Sequence, residues 1–104
     1  MKAFLVNECD TVVTTDGIEE VKQWYTKEIE EVYSIEPIDP DVTTMLYAMD
    51  YGECKGITLL PPNETGLHQF TVVDGEVAER ITIREAYERD GEHTYPYVIA
   101  SNEY

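Results

Sequence analysis

An acidic block in the middle of the chain is the feature that most restricts how this protein folds. Eight acidic residues and no basic residue lie between Lys27 and Lys55, and the stretch 28–79 holds twelve acidic residues against one base. That stretch carries −11 of the total charge of −15, whereas 1–27 and 80–104 carry −2 each. Like charges at this density destabilise a compact chain through self-repulsion. A general solubility bias would spread over the whole surface, so the concentration of charge indicates a function.

Disorder is the first alternative for such a chain, because high net charge and low hydrophobicity oppose collapse. The composition argues against it for most of the chain, since 42% of residues are hydrophobic and eight are tyrosines. We therefore expect one domain over 1–104 with a small core. The first apolar run is too short for a signal peptide, and no segment approaches the ~20 apolar residues of a membrane helix. Two cysteines do not make a secreted disulfide scaffold, so we predict a soluble cytoplasmic protein.

Apolar residues at spacings of three and four predict one long amphipathic helix over 17–33. The stripe consists of Ile18, Val21, Tyr25, Ile29 and Val32. Asp16 or Thr15 is expected to cap the start of this helix. Pro37 and Pro40 disfavour its continuation and predict a rigid loop over 36–41.

The strongest hairpin signal is Asp74-Gly75 between the apolar runs 69–73 and 76–81, which favours a type I′ turn. Thr82 and Glu85 have the spacing of a capping box, which predicts a short helix ending near residue 89. Further strands are predicted over 2–7, 56–60 and 95–100. The stretch 43–49 is either a strand or a short helix, with the strand favoured, and 11–15 is either strand or loop. This order predicts an α+β fold, in which a small antiparallel sheet packs against the long helix and a short second helix follows.

Two cysteines and two histidines are the candidates for catalysis or zinc binding, Cys9, Cys54, His68 and His93. No local signature flanks either cysteine, and the four residues lack the close spacing of a zinc site, so ordinary buried or half-buried thiols are favoured. A calcium loop starting at Asp39 fails the EF-hand pattern, because Thr44 stands where glycine is required. Glycine-rich phosphate loops are absent from the sequence. We predict no catalytic residues, no metal and no cofactor.

The sign of the charge disfavours direct binding to nucleic acid or anionic membranes and favours basic protein surfaces, many of which are nucleic-acid grooves. Carboxylates at i,i+3 or i,i+4 on a helix have Cβ atoms ~5–6 Å apart, a separation similar to that of neighbouring phosphates. We interpret the block as a mimic of a phosphate backbone, with nearby tyrosines as packed anchors. The alternative interpretation is a solvated surface that only keeps the protein soluble. The predicted partner-binding residues are Glu28, Glu30, Glu31, Glu36, Asp39, Asp41, Asp50, Glu53, Tyr33, Tyr47 and Tyr51.

In style the chain resembles small acidic proteins of phages and mobile elements, of the DNA-mimic anti-restriction or anti-CRISPR type. The residues behind the resemblance are the opening Lys2–Val6, Glu19-Glu20 ahead of Trp24-Tyr25, and the closing Pro96–Ser101. The resemblance implies a non-enzymatic inhibitor of a host defence nuclease in the bacterial cytoplasm, with a CRISPR–Cas effector ahead of a restriction enzyme as the partner. The alternative is a small adaptor or structural module that binds through a Tyr-rich apolar surface. The sequence leaves the oligomeric state open, a dimer included.

Overall fold

Two antiparallel sheets, two α-helices and a short 3-10 helix at Pro62–Glu64 build the part of the chain that the computed structural model describes, residues 1–49, 56–91 and 96–101. The first sheet has the strand order β3-β1-β2-β7 and the second β4-β6-β5. The elements are β1 (Lys2–Val6), β2 (Asp10–Thr14), α1 (Ile18–Glu28), β3 (Ile35–Ile38), β4 (Thr44–Ala48), β5 (Phe70–Val73), β6 (Glu76–Thr82), α2 (Ile83–Asp90) and β7 (Tyr97–Ser101). The α+β class is confirmed, but the predictions of a single sheet and a long helix are wrong.

Strand β2 is buried along its whole length because both faces of the first sheet are covered. On one face, Phe4 and Val12 pack against α1. On the other face, Ala3 and Val13 pack against Ile83 of α2. Side chains alternate between the faces of a strand, so two neighbouring β-branched residues serve two separate clusters. This coverage settles the region 11–15 as a central strand, which the sequence left as either strand or loop.

Helix α1 ends at Glu28 instead of running to residue 33. The amides of Ile29 and Glu30 both donate to the carbonyl of Tyr25, at 2.9 and 3.1 Å, which closes the last turn. Ile29 is 46% exposed, so its predicted place in the buried stripe is wrong. Carboxylates at 28, 30 and 31 would lie at the negative end of the helix dipole, so their charge also disfavours further helical turns. At the other end Gly17 occupies the N-cap without a side-chain bond, so neither Asp16 nor Thr15 caps the helix.

The region 36–41 was predicted as a loop, but its first residues belong to the edge strand β3. The amide of Asn7 donates to the carbonyl of Ser34 at 2.8 Å, and Leu5 pairs with Glu36. Hydrogen-bonded and non-bonded pairs alternate along an antiparallel ladder, so Ser34 and Glu36 bond to β1 while Ile35 and Pro37 do not. The backbone groups of Ile35 and Pro37 therefore point away from β1. Proline has no amide hydrogen, and this outward position does not need one. The free edge of β3 thus offers two carbonyl oxygens and one N–H.

The hairpin and the Thr82 N-cap of the short second helix are confirmed. Asp74 and Gly75 have φ of 52° and 81°, as a type I′ turn requires, between β5 and β6. The hydroxyl oxygen of Thr82 accepts from the amide of Glu85 at 3.1 Å at the start of α2. The predicted strand over 56–60 is wrong, since only an isolated bridge at Leu59 is present there.

Candidate functional site

Asn7 organises the segment that follows α1. Its side chain is 97% removed from solvent and donates to the carbonyl of Glu31 at 3.0 Å and to Glu30 Oε1 at 3.3 Å. Its Oδ1 accepts from the amides of Tyr33 at 2.8 Å and Ser34 at 3.2 Å. These are backbone groups that a continued helix would have bonded internally. The amide side chain therefore takes the place of the last helical turns and fixes residues 30–34 against the first sheet.

Exposed carboxylates lie in this segment and in the stretches that adjoin it, and we call this set the acidic edge. Its members are Glu8, Glu28, Glu30, Glu31 and Glu36, together with Tyr33. All are exposed, and Tyr33 is 75% exposed while its hydroxyl donates to the carbonyl of Asn7 at 3.3 Å. Within the described ranges, none of the five carboxylates forms an ion pair. Five of the eleven predicted partner-binding residues, four carboxylates and Tyr33, thus belong to this exposed set.

The turn between β1 and β2 adds Glu8 to the edge. Asn7 and Glu8 have φ of 54° and 56°, and the amide of Cys9 donates to the carbonyl of Val6 at 3.1 Å. Asparagine adopts the left-handed conformation readily, whereas glutamate does so at a cost of roughly 1–2 kcal/mol. Beside this turn lies a cleft of about 130 Å³, lined by Leu5, Glu8, Ser34, Ile35 and Glu36.

A buried hydrogen bond between Tyr25 and Asp10 joins α1 to the first sheet near the acidic edge. The hydroxyl of Tyr25 on α1 donates to Asp10 Oδ2 on β2 at 2.6 Å. Burial, and then the hydrogen bond to Asp10, raise the pKa of Tyr25 well above its ordinary value. Because the carbonyl of Tyr25 also accepts the closing bonds of α1, this residue links the end of the helix to the sheet.

Other predicted residues lie elsewhere and are already paired. Asp41 forms an ion pair with Arg84 of α2, and the hydrogen bond from Arg84 holds the pKa of Asp41 below its usual range. The hydroxyl of Tyr47 donates to Asp90 at 2.7 Å, and the guanidinium of Arg89 lies 5.7 Å from the ring centroid. Asp41 and Tyr47 are therefore engaged within the protein. Asp39 is exposed, and its Oδ1 accepts from the amide of Asp41 at 2.9 Å. The predicted Asp50, Tyr51 and Glu53 lie outside the described residues.

A second group of paired carboxylates surrounds α2. Glu79 is 7% exposed and accepts from Arg89 at 2.9 Å, while its other oxygen lies 3.1 Å from His68 Nδ1. Burial acts against ionisation here, but the hydrogen bonds from Arg89 and His68 prevail and lower the pKa of Glu79. The other ring nitrogen of His68 lies 3.5 Å from Glu85. Arg84 and Arg89 on this side of the molecule thus neutralise the carboxylates of Asp41 and Glu79.

The candidates for catalysis are separated. Cys9 contacts Asp10 and Ser101, at 3.7 and 3.8 Å, whereas His68 contacts Glu79 and Glu85. Cys54 and His93 lie outside the described residues. A larger cleft of about 550 Å³ between the two sheets is lined mainly by aliphatic and threonine side chains, with Arg80, Asp74 and Glu76 as its charged lining residues. In the described ranges no three His, Cys, Asp or Glu residues are grouped to hold a metal ion.

Sequence reasoning missed Asn7 and Glu8, which turn out to organise the edge. The run Asn7-Glu8-Cys9-Asp10 between two β-forming stretches is a turn signal, because asparagine and aspartate favour such conformations. That signal locates the turn. It does not reveal that the Asn7 amide reaches residues 30–34, since the contact joins positions more than twenty residues apart.

Comparisons with protein-family models, with curated proteins and with solved structures give no match. Among the residues described, no helix has both the length and the apolar character needed to cross a membrane.

Proposed function

We propose that this protein is a non-enzymatic inhibitor whose acidic edge occupies the basic nucleic-acid-binding groove of a host defence nuclease. The observation that carries the proposal is the contrast in pairing. The carboxylates of the edge are exposed and without ion pairs in the described part of the chain, whereas Asp41 and Glu79 are each paired with an arginine. Unpaired charge on one fixed segment is available to a partner of opposite sign.

The fixed backbone supports the mimicry. Hydrogen bonds donated and accepted by the Asn7 side chain hold residues 30–34, so little backbone conformational entropy is lost when the edge is bound. A Lys- or Arg-lined groove that normally releases counterions on binding DNA would release them on binding this edge. Tyr33 adds an exposed aromatic ring beside the carboxylates, the residue type that most often anchors an interface.

The partner class follows from the same chemistry. A groove that binds duplex DNA or a guide–target duplex has the required charge and length, and CRISPR–Cas effectors and restriction enzymes both contain one. We place the CRISPR–Cas effector first and the restriction enzyme second. The protein would act where such nucleases act, in the bacterial cytoplasm.

The test measures binding to a purified guide-loaded CRISPR effector, with a restriction enzyme in parallel. We expect log K to fall linearly with log salt between about 50 and 500 mM, and duplex DNA to compete. Glu30→Lys/Glu31→Lys should weaken binding by about tenfold or more. The matched control is Glu64→Lys/Glu88→Lys, which alters net charge equally at two exposed positions outside the edge. Equal losses in the two double variants would contradict a localised binding surface.

A second candidate function is an adaptor that binds through apolar surface. Leu59, Leu67 and Val72 lie near or on β5 and are 48%, 51% and 40% exposed. These exposed aliphatic side chains support the alternative, whereas the predicted Tyr47 is engaged by Asp90. Binding that is insensitive to salt and lost on Val72→Ser would favour the adaptor.

A further inference from the structure

The larger cleft, between the two sheets, has the size of a small-molecule site. Its volume is about 550 Å³, within the roughly 300–1,000 Å³ that such sites usually measure. One wall is a face of the second sheet, where Ala78 of β6 and Ala48 of β4 are direct partners. The first sheet supplies the other wall, which includes the aliphatic side chains of Leu5, Ile38 and Ile99. The cleft can therefore receive an aliphatic chain.

Strand β6 places opposite charges at the two ends of this cleft. Glu76, Ala78 and Arg80 alternate along the strand, so they lie on the same face of the sheet, and all three line the cleft. Glu76 and Arg80 are four positions apart in an extended strand, which separates their Cα atoms by about 13 Å. Asp74 of the hairpin turn lines the cleft beside Glu76. The cleft thus has a cationic end, an apolar middle and an anionic end.

The charge of Arg80 is not neutralised by the protein. Arg84 and Arg89 form ion pairs, whereas Arg80 forms none within the described ranges. Its Nη1 donates to Thr44 Oγ1 at 3.2 Å and its Nη2 to the carbonyl of Pro62 at 3.3 Å, and both acceptors are neutral. A guanidinium has five N–H donors, so donors on the Nη groups remain available. A half-buried arginine in this state is suited to binding a carboxylate.

The anionic end restricts the ligand further. Asp74 and Glu76 are exposed and form no ion pair in the described part of the chain. They would repel a simple anion, as would the net charge of −15, whereas a simple cation would meet the unpaired charge of Arg80. A ligand that carries both charges, one at each end, satisfies both ends of the cleft.

We propose that this cleft binds a small zwitterion, in which a carboxylate and a primary ammonium group stand at opposite ends of an aliphatic chain. The carboxylate accepts hydrogen bonds from the Nη groups of Arg80, and the ammonium donates to Glu76 and Asp74. The chain between them packs on Ala48 and Ala78. The cleft shares no lining residue with the acidic edge, so this site is separate from the function proposed above.

The experiment titrates the full chain with 8-aminooctanoate and follows the amide NMR shifts. Octanoate, octylammonium and 4-aminobutanoate are the controls for the ammonium group, the carboxylate and the chain length. We expect selective shifts at Leu46, Ala48 and Ala78, and binding at least about fivefold tighter than that of each control, because each control loses a charge-assisted hydrogen bond. Octylammonium that binds as tightly as 8-aminooctanoate, or the absence of these shifts at millimolar ligand, would overturn the proposal.

Substitutions in the cleft test where the ligand lies. Ala48→Leu narrows the cleft without changing the charge and should weaken binding of 8-aminooctanoate by about tenfold. Glu76→Gln should weaken it by about threefold or more, whereas Glu20→Gln, at an exposed position on α1, should not. Unchanged affinity of a folded Ala48→Leu variant, or equal effects of the two glutamate substitutions, would contradict binding in the cleft.

Arg80→Gln tests the cationic end. We expect about tenfold weaker binding of 8-aminooctanoate and octanoate and no weakening for octylammonium, a selectivity that a general loss of structure would not produce. The amide spectrum of each variant first establishes that the fold is retained, and Arg80→Lys, which keeps the charge, replaces Arg80→Gln if it is not. Arg80→Lys should then weaken 8-aminooctanoate by about threefold, because the guanidinium fork is lost. Equal weakening of all three ligands by a folded Arg80 variant would overturn the proposal.

Discussion

The acidic edge and the surface around α2 carry the same kind of side chain in opposite situations. Around α2, Arg84 neutralises Asp41, while Arg89 and His68 both contact Glu79. On the edge, the backbone is held by the neutral amide of Asn7, and the carboxylates remain unpaired within the described residues. The carboxylates of Asp41 and Glu79 form ion pairs within the protein, whereas those of the acidic edge have no such pair in the described part of the chain.

This difference shows that the net charge of a protein does not tell how many of its carboxylates are free of ion pairs. The three arginines, at positions 80, 84 and 89, all belong to β6 or α2. The fold therefore gathers these cations on one side of the molecule. A neutral hydrogen-bonding centre can fix an acidic segment without reducing its charge, whereas an ion pair cannot.

The largest effect on stability is expected from removing the side chain of Asn7. Asn7→Gly keeps the left-handed backbone accessible but deletes the side-chain bonds to residues 30–34. We expect a loss of about 3 kcal/mol in the free energy of unfolding, since several backbone groups lose a partner worth roughly 1 kcal/mol each. Urea denaturation measures it. The difference from wild type should not depend on salt, and a loss that disappears in high salt would show that charge, not the amide, holds the edge.

The next effect tests the buried support of the edge. Tyr25→Phe leaves the Asp10 carboxylate buried without its hydroxyl donor, which we expect to cost about 2 kcal/mol at neutral pH. The folded-state pKa of Tyr25 is raised above its ordinary value of 10.0, so its contribution is complete below that pH. The contribution is lost as the pH rises further, because the unfolded chain ionises first. Wild type and Tyr25→Phe should therefore converge in stability at alkaline pH, and parallel pH profiles would contradict this assignment.

A smaller effect is expected on the paired side. Glu79→Gln removes the charge between Arg89 and His68, and we expect about 1.5 kcal/mol of destabilisation at neutral pH. Since the pKa of Glu79 is lowered below its ordinary 4.5, the contribution is present above that pH and is lost as the pH falls through the folded-state value. Thermal unfolding from neutral to acidic pH should show the two proteins converging in acid. A constant difference would mean that packing, not ionisation, is responsible.

The smallest effect is expected at Asp41. Its carboxylate and its partner Arg84 are both solvent-exposed, and ion pairs of this kind contribute little. Asp41→Asn should leave the urea midpoint unchanged within error. It should also weaken nuclease binding less than Glu31→Gln, a substitution with the same change in charge on the acidic edge. A stronger loss of binding for Asp41→Asn would move the binding surface towards α2.

Local signals were sufficient where neighbours in sequence decide the structure. The Asp74-Gly75 hairpin and the Thr82 cap of α2 were predicted correctly because turn and cap geometry involve only residues close in sequence. The end of α1 was not, because the competing partner Asn7 lies more than twenty residues upstream. The apolar period through Ile29 shows which face an isolated helix would bury. It contains no information on the hydrogen bonds of Asn7 that replace further helical turns.

The residues of the candidate site also include some that the sequence predicts and others that only tertiary contacts decide. Exposure of Glu28, Glu30, Glu31 and Glu36 follows from their charge, and the sequence is enough to expect it. The removal of Asp41 and Tyr47 from the set follows from contacts with α2, which is distant in sequence from both. Glu8 joins the set because β1 lies beside β3.

By itself, the sequence determined the α+β class, the hairpin, the second helix and the excess of negative charge, all of which depend on composition or on short-range geometry. Only the tertiary structure decided which carboxylates have cationic partners and which remain available. The physical reason is that a charge interacts with whatever the fold brings within a few ångströms of it, and chain order does not fix those neighbours.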